Sequence, residues 1–118
     1  GGLSSNPDWV VKVVNMVDHP RFGTLPDFGN YRISDDETYD SYEGVEKMMP
    51  YAKGVSVKPM GYDNHGNRIE IDLMRMMQIV TDAGYHGFCG IEYGPEGSEW
   101  EGIVEIRKEL ERVREALG

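Results

Sequence analysis

The chain has 118 residues, with 12 Lys and Arg against 21 Asp and Glu, for a formal net charge of −9. A field of that sign repels phosphate backbones and argues against DNA or RNA as a partner. No apolar run approaches the ~20 residues of a membrane span, and the one cysteine, Cys89, excludes an internal disulfide and suits a reducing, cytoplasmic setting.

The length allows one domain, not two. The start, Gly1-Gly2-Leu3-Ser4-Ser5, carries neither an initiator Met nor the basic and apolar segments of a signal peptide, so it reads as a cut end. Asn6-Pro7 then opens a helix, Asn as the cap and Pro at the first turn. Trp9, Val10, Val13, Val14 and Val17 give it one apolar stripe, and His19-Pro20 ends it. A short strand follows from Gly23 to about Pro26, where the missing N–H stops a central ladder. It runs into Asp27-Phe28-Gly29-Asn30.

A second helix is expected from about Thr38 to Tyr51, with Val45, Met48 and Met49 buried. Lys53-Gly54 turns the chain into a second strand, Val55-Ser56-Val57-Lys58. Asp63-Asn64-His65-Gly66-Asn67 is turn chemistry, and the flanking Ile69 and Ile71 suit a small hairpin. Asp72 caps a third helix with Leu73, Met76, Met77 and Val80 inward and Gly84 past its end. Phe88–Tyr93 reads as a third strand. From about Ser98 a last helix turns Ile103, Ile106, Leu110, Val113 and Leu117 to one side. The seven methionines fall largely on such stripes and read as core.

The order α-β-α-β-α-β-α implies an α/β fold with parallel strands joined by crossovers. Three strands are few for a parallel sheet, which needs both faces covered, so more sheet is expected on the N-terminal side. In such folds the working side chains sit at the C-terminal ends of strands. Those ends offer Asp27 and Asn30, then Ser56, Lys58 and Tyr62, then Glu92 and Tyr93. Carboxylate oxygens on one rim suit a hard divalent cation, which polarises a sugar carbonyl. A nearby carboxylate moves a proton between adjacent carbons, and Lys58 holds an oxyanion. The plainer readings stay open: strand-end carboxylates also serve as caps or solvated loop residues, and Lys58 serves equally as an ion-pair partner. His65 reads as a solvated turn residue, His19 as a helix-end residue, His86 as a turn residue and Cys89 as a packed thiol. The Asp63–Asn67 stretch lacks an EF-hand's closing glutamate, since Met74 stands at the twelfth position.

Gly1–Asn6, Gly23-Thr24-Leu25-Pro26-Asp27-Phe28-Gly29-Asn30, Pro50–Lys58 and Gly90-Ile91-Glu92-Tyr93 together resemble the sugar phosphate isomerase/epimerase family of the xylose isomerase-like (β/α) barrel superfamily. The resemblance covers nearly the whole chain. It implies a partial TIM barrel, helix 5 to helix 8 with strands 6 to 8, where a complete barrel has about 250 residues. It implies a divalent metal (Mn, Mg, Co or Zn) held by a Glu on strand 5, an Asp on strand 6, a His on strand 7 and a Glu on strand 8. Asp27 matches the strand 6 position. Glu92 matches the strand 8 position, which is also an acid/base. Asn30 matches a substrate contact. Two departures stand out: the strand 5 Glu would precede Gly1, and Ser56 stands at the strand 7 His.

The expectation is therefore part of a sugar (phosphate) isomerase or epimerase working by metal-assisted proton transfer. Glu92 and Lys58 are the catalytic candidates. Asn30, Lys58 and Ser56 are the substrate contacts, and Asp27 and Glu92 the metal ligands. The chain alone is expected to be inactive and to pair with an N-terminal half of the barrel or with its own copy. The alternatives are a non-catalytic barrel domain that binds a polyol or a partner chain and, further off, an apurinic-site endonuclease-like enzyme.

Overall fold

A computed structural model describes residues 1–94 and 97–118. Its elements in chain order are α1 (Pro7–Val17), α2 (Ser41–Met48), β1 (Val55–Val57), β2 (Met60–Tyr62), β3 (Arg68–Glu70), α3 (Leu73–Asp82), β4 (Cys89–Ile91) and α4 (Glu99–Leu117), with 3-10 turns at Leu3–Ser5 and Met49–Tyr51. Side-chain caps fix the starts of α1, α2 and α3. Asn6 accepts from the Asp8 N–H at 3.0 Å, Asp40 from Glu43 at 2.9 Å and Asp72 from Arg75 at 3.0 Å. The second helix therefore starts three residues later than the sequence suggested. Thr38 instead pairs with Arg32 in an isolated antiparallel bridge.

β1 and β4 pair in parallel, Val55 with Cys89, Ser56 with Gly90 and Val57 with Ile91. The segment expected as a first strand lies on the other side of β1 but makes only two isolated parallel bridges, Thr24 to Ala52 and Asp27 to Ser56. Pro26 lacks the N–H that would continue a ladder on both sides, so the pairing stays intermittent. The three parallel segments still lie side by side in sequence order. β2 and β3 form an antiparallel hairpin, as the turn residues suggested, beside the parallel segments. Asp63 pins its turn, accepting from the His65 and Asn67 N–H groups at 2.8 Å each and from the Asn67 side chain at 3.0 Å. Those bonds, the Asn67 side chain's first, hold its carboxyl below the usual range. The result is an α/β unit with a small parallel sheet, compatible with part of a (β/α) barrel.

Phe28, Tyr31, Val45, Val57, Met76 and Val80 form the middle of the core, and Ile106 and Val113 of α4 join them. Three expectations fail here. Of the five stripe residues of α1 only Val14 is buried and Val10 is half-buried, while Trp9, Val13 and Val17 face out. Met16 and Met74 are also exposed. Phe88 precedes β4 rather than joining it and is 95% exposed. No helix among the described residues is long and apolar enough to cross a membrane.

Candidate functional site

Register assembles the site. Asp27 is bridged to Ser56, and Ser56 is paired with Gly90. Side chains alternate along a strand, so Ser56 and Lys58 share the face opposite the buried Val55 and Val57. Gly90 and Glu92 take the equivalent places on the neighbouring strand. Gly90 brings no side chain, and the Ser56 hydroxyl reaches past it to donate to Glu92 Oε2 at 3.3 Å.

Lys58 Nζ is the hub. It donates to Asn30 Oδ1 at 2.9 Å and lies 3.2 Å from Glu92 Oε1 and 3.5 Å from Asp27 Oδ2. The other Asp27 oxygen accepts from the Gly29 and Asn30 N–H groups at 2.7 and 2.9 Å, which folds the loop back over the strand end. Gly29 is required there, because a β-carbon would run into the Met60 carbonyl oxygen and the Lys58 side chain. The side chains of Asp27 and Lys58 are 13% and 21% exposed, and that of Glu92 is 60% exposed. A charge as withdrawn as Lys58 persists because it is paired. Glu92 sits just past the end of β4, open to solvent.

A cleft of about 440 Å³ lies over this hub, a size suited to a small metabolite. Asn30, Lys58, Tyr62 and Glu92 line it, and so do Arg32 and Arg68. Neither arginine was singled out from the sequence. The signal for Arg68 was present: it is the hairpin partner of Tyr62 and alternates with the inward Ile69. Arg32 is held by Asp35 at 2.6 Å. Asp27 opens instead into a smaller hollow beside Tyr31. Tyr93 turns away from the cleft and lies against α4 at Gly102.

The other candidates stay outside. His65 sits exposed in the hairpin turn, and His86 is exposed. His19 Nδ1 accepts from the Arg21 N–H at 3.1 Å. Burial pushes the Cys89 thiol up, against thiolate chemistry. Among the described residues no three His, Cys, Asp or Glu side chains gather to hold a metal ion. The two carboxylates that do converge already share the Lys58 ammonium, and a serine stands beside them. As arranged, this donor set does not fit a resident divalent cation.

No protein-family model matches the sequence. Among curated proteins, the chain is 24% identical over 106 residues to a mouse (Mus musculus) protein named "Putative hydroxypyruvate isomerase", covering 90% of this chain and 38% of that protein. Human (Homo sapiens) and zebrafish (Danio rerio) proteins of the same name are 24% and 23% identical over 107 and 105 residues, 38% and 37% of their lengths. The chain thus spans a little over a third of the relatives it matches, and its similarity is to proteins that carry an isomerase name.

Proposed function

We propose that this chain is a C-terminal portion of a xylose isomerase-like barrel that isomerises or epimerises a small hydroxy-carbonyl compound, a sugar or sugar acid, by proton transfer. One observation carries the reading: Lys58, Asn30 and Glu92 line one cleft of metabolite size at the ends of the parallel segments, with Asp27 behind Lys58. The isomerase names of the relatives support it.

The chemistry follows from the arrangement. Glu92, the exposed carboxylate, takes the proton from the hydroxyl-bearing carbon beside a carbonyl. The C–H electron pair becomes the C=C bond of an enediolate, and the carbonyl π pair moves onto oxygen. Lys58 stabilises that oxyanion. Return of the proton to the neighbouring carbon, with the hydroxyl proton moving between the two oxygens, gives the isomer. Glu92 ends as it began. An epimer would form if a second acid on the opposite face protonated the same carbon, Glu92 then losing its proton to water and the second acid regaining one. Asn30 steadies a substrate hydroxyl, Ser56 orients Glu92, and Asp27 fixes Lys58. No step here is routed through a divalent cation, which the Asp27 and Glu92 carboxylates, paired with Lys58, do not fit. Arg32 and Arg68 at the cleft wall suit a substrate with a carboxylate or phosphate.

Ser56 in place of a histidine favours a second reading, a non-catalytic barrel domain that binds a polyol or a partner chain. Steady-state assay of hydroxypyruvate and of aldose–ketose pairs, with the chain alone and within a complete barrel, separates the two. Glu92→Gln is expected to lower kcat by about 10²–10⁴-fold with little change in KM. Binding of these compounds without interconversion by any form would establish the second reading.

A further inference from the structure

We infer that the Lys58 ammonium occupies the place that two converging carboxylates would otherwise give to a divalent cation, so that this site works without a bound metal. The part of this inference that concerns catalysis rests on the isomerase reading; the part that concerns metal binding does not.

Asp27 and Glu92 come from different segments, and each presents one oxygen to the same point. Strand-end carboxylates that converge in this way attract a hard cation. The point is taken by Lys58 Nζ, 3.5 Å from one oxygen and 3.2 Å from the other. An ammonium has three donors and no acceptor, and three acceptors stand around it: Asp27 Oδ2, Glu92 Oε1 and Asn30 Oδ1. The Asn30 bond holds the lysine in place independently of the acids. A metal ion here would have to expel a lysine that is largely withdrawn from water, and from this chain it would recover two carboxylates and a serine hydroxyl. The remaining Asp27 oxygen already accepts two backbone N–H groups. A fixed monocation leaves the cluster one charge more negative than a divalent ion would. It also supplies a hydrogen-bond donor that a metal lacks. The substrate oxygen needs only to replace one of the three acceptors, and Glu92 is the one free to move, since it is the most exposed and is wanted at the carbon.

The test is a Mn²⁺ titration followed by electron paramagnetic resonance. Within a complete barrel, the wild-type protein, stripped with chelator, should show no saturable binding up to millimolar Mn²⁺. Lys58→Glu should create a saturable site, with affinity raised by at least about tenfold because a neighbouring cation becomes a third carboxylate. Lys58→Gln, which only removes the charge, should fall between the two, and it serves as the variant if Lys58→Glu does not fold. Lys58→Arg should behave as wild type. Asp27→Asn in the Lys58→Glu background should abolish the new site. Saturable wild-type binding that Asp27→Asn or Glu92→Gln weakens would overturn the inference, and so would folded Lys58→Glu and Lys58→Gln variants that bind no better than wild type. The titration needs no turnover, so it decides this point even if the isomerase reading fails. Conversely, turnover that depends on bound Mn²⁺ would sink this inference and leave the isomerase reading standing.

Discussion

Tyr31 shows how closely this small site is built into its core. Its ring is buried, and its hydroxyl has no hydrogen-bond partner among the described residues. Burial first, and then the charges of Asp27 and Asp40, push its phenol far above the ordinary range. A buried hydroxyl without a partner opposes folding, so Tyr31→Phe should stabilise the chain by about 1 kcal/mol, read from urea midpoints. The pH dependence has a definite sign. Below about pH 10 the tyrosine is neutral in both states. Above that the unfolded chain sheds the proton while folded Tyr31 keeps it, so the unfolded state binds fewer protons and stability falls as pH rises. Tyr31→Phe should flatten that alkaline limb. An equal slope in both proteins would show that Tyr31 is not its source.

At the scale of elements, the loop that carries Asp27 and Asn30 is held from below by α2. A β-carbon at Gly44 would land in the ring of Tyr31 and against Pro7, so helix, loop and the start of α1 meet at one glycine. Gly44→Ala should cost about 1–3 kcal/mol through overpacking, despite alanine's better helix propensity. Thermal denaturation would read this, and a stabilised variant would mean that the contact is loose. By contrast, the Lys47–Asp8 pair that ties α2 to α1 at 2.8 Å is exposed on both sides and should contribute little. The elements were unevenly legible in the sequence. Capping residues and a clear stripe gave α3 at nearly its true bounds. In α1, five apolar residues form a stripe so wide that spacing alone does not say which edge faces inward. Pro26 was rightly a warning against a ladder, but the segment still lies where a strand would.

For the whole molecule, the order of strands was enough to bring Asp27, Lys58 and Glu92 to one rim, because parallel segments in register end on the same side. What lay beyond reach were the cleft-wall arginines, whose placement depends on how the hairpin and the 30–38 loop fold over the sheet, and the direct Lys58 contacts. The chain also keeps unpaired edges. The described residues show no strand on the outer side of β4 or of the 24–27 segment. Phe88, Trp9, Val13 and Val17 present apolar surface. Such edges recruit a partner strand. We propose that this chain pairs with the remainder of a barrel or, alone, with its own copy. Sedimentation velocity should show a dimer or larger species for the isolated chain, and a well-behaved monomer would count against this.

The central claim is that Lys58 and Glu92 together move a proton on a carbon beside a carbonyl. Solvent deuterium wash-in, followed by proton NMR on hydroxypyruvate and small hydroxy-ketones within a complete barrel, tests it most directly because exchange registers even when net conversion is slow. The account predicts loss of the proton signal at the hydroxyl-bearing carbon, abolished by Glu92→Gln and by Lys58→Met. Exchange that survives both substitutions, or bound substrate that never exchanges, would contradict it.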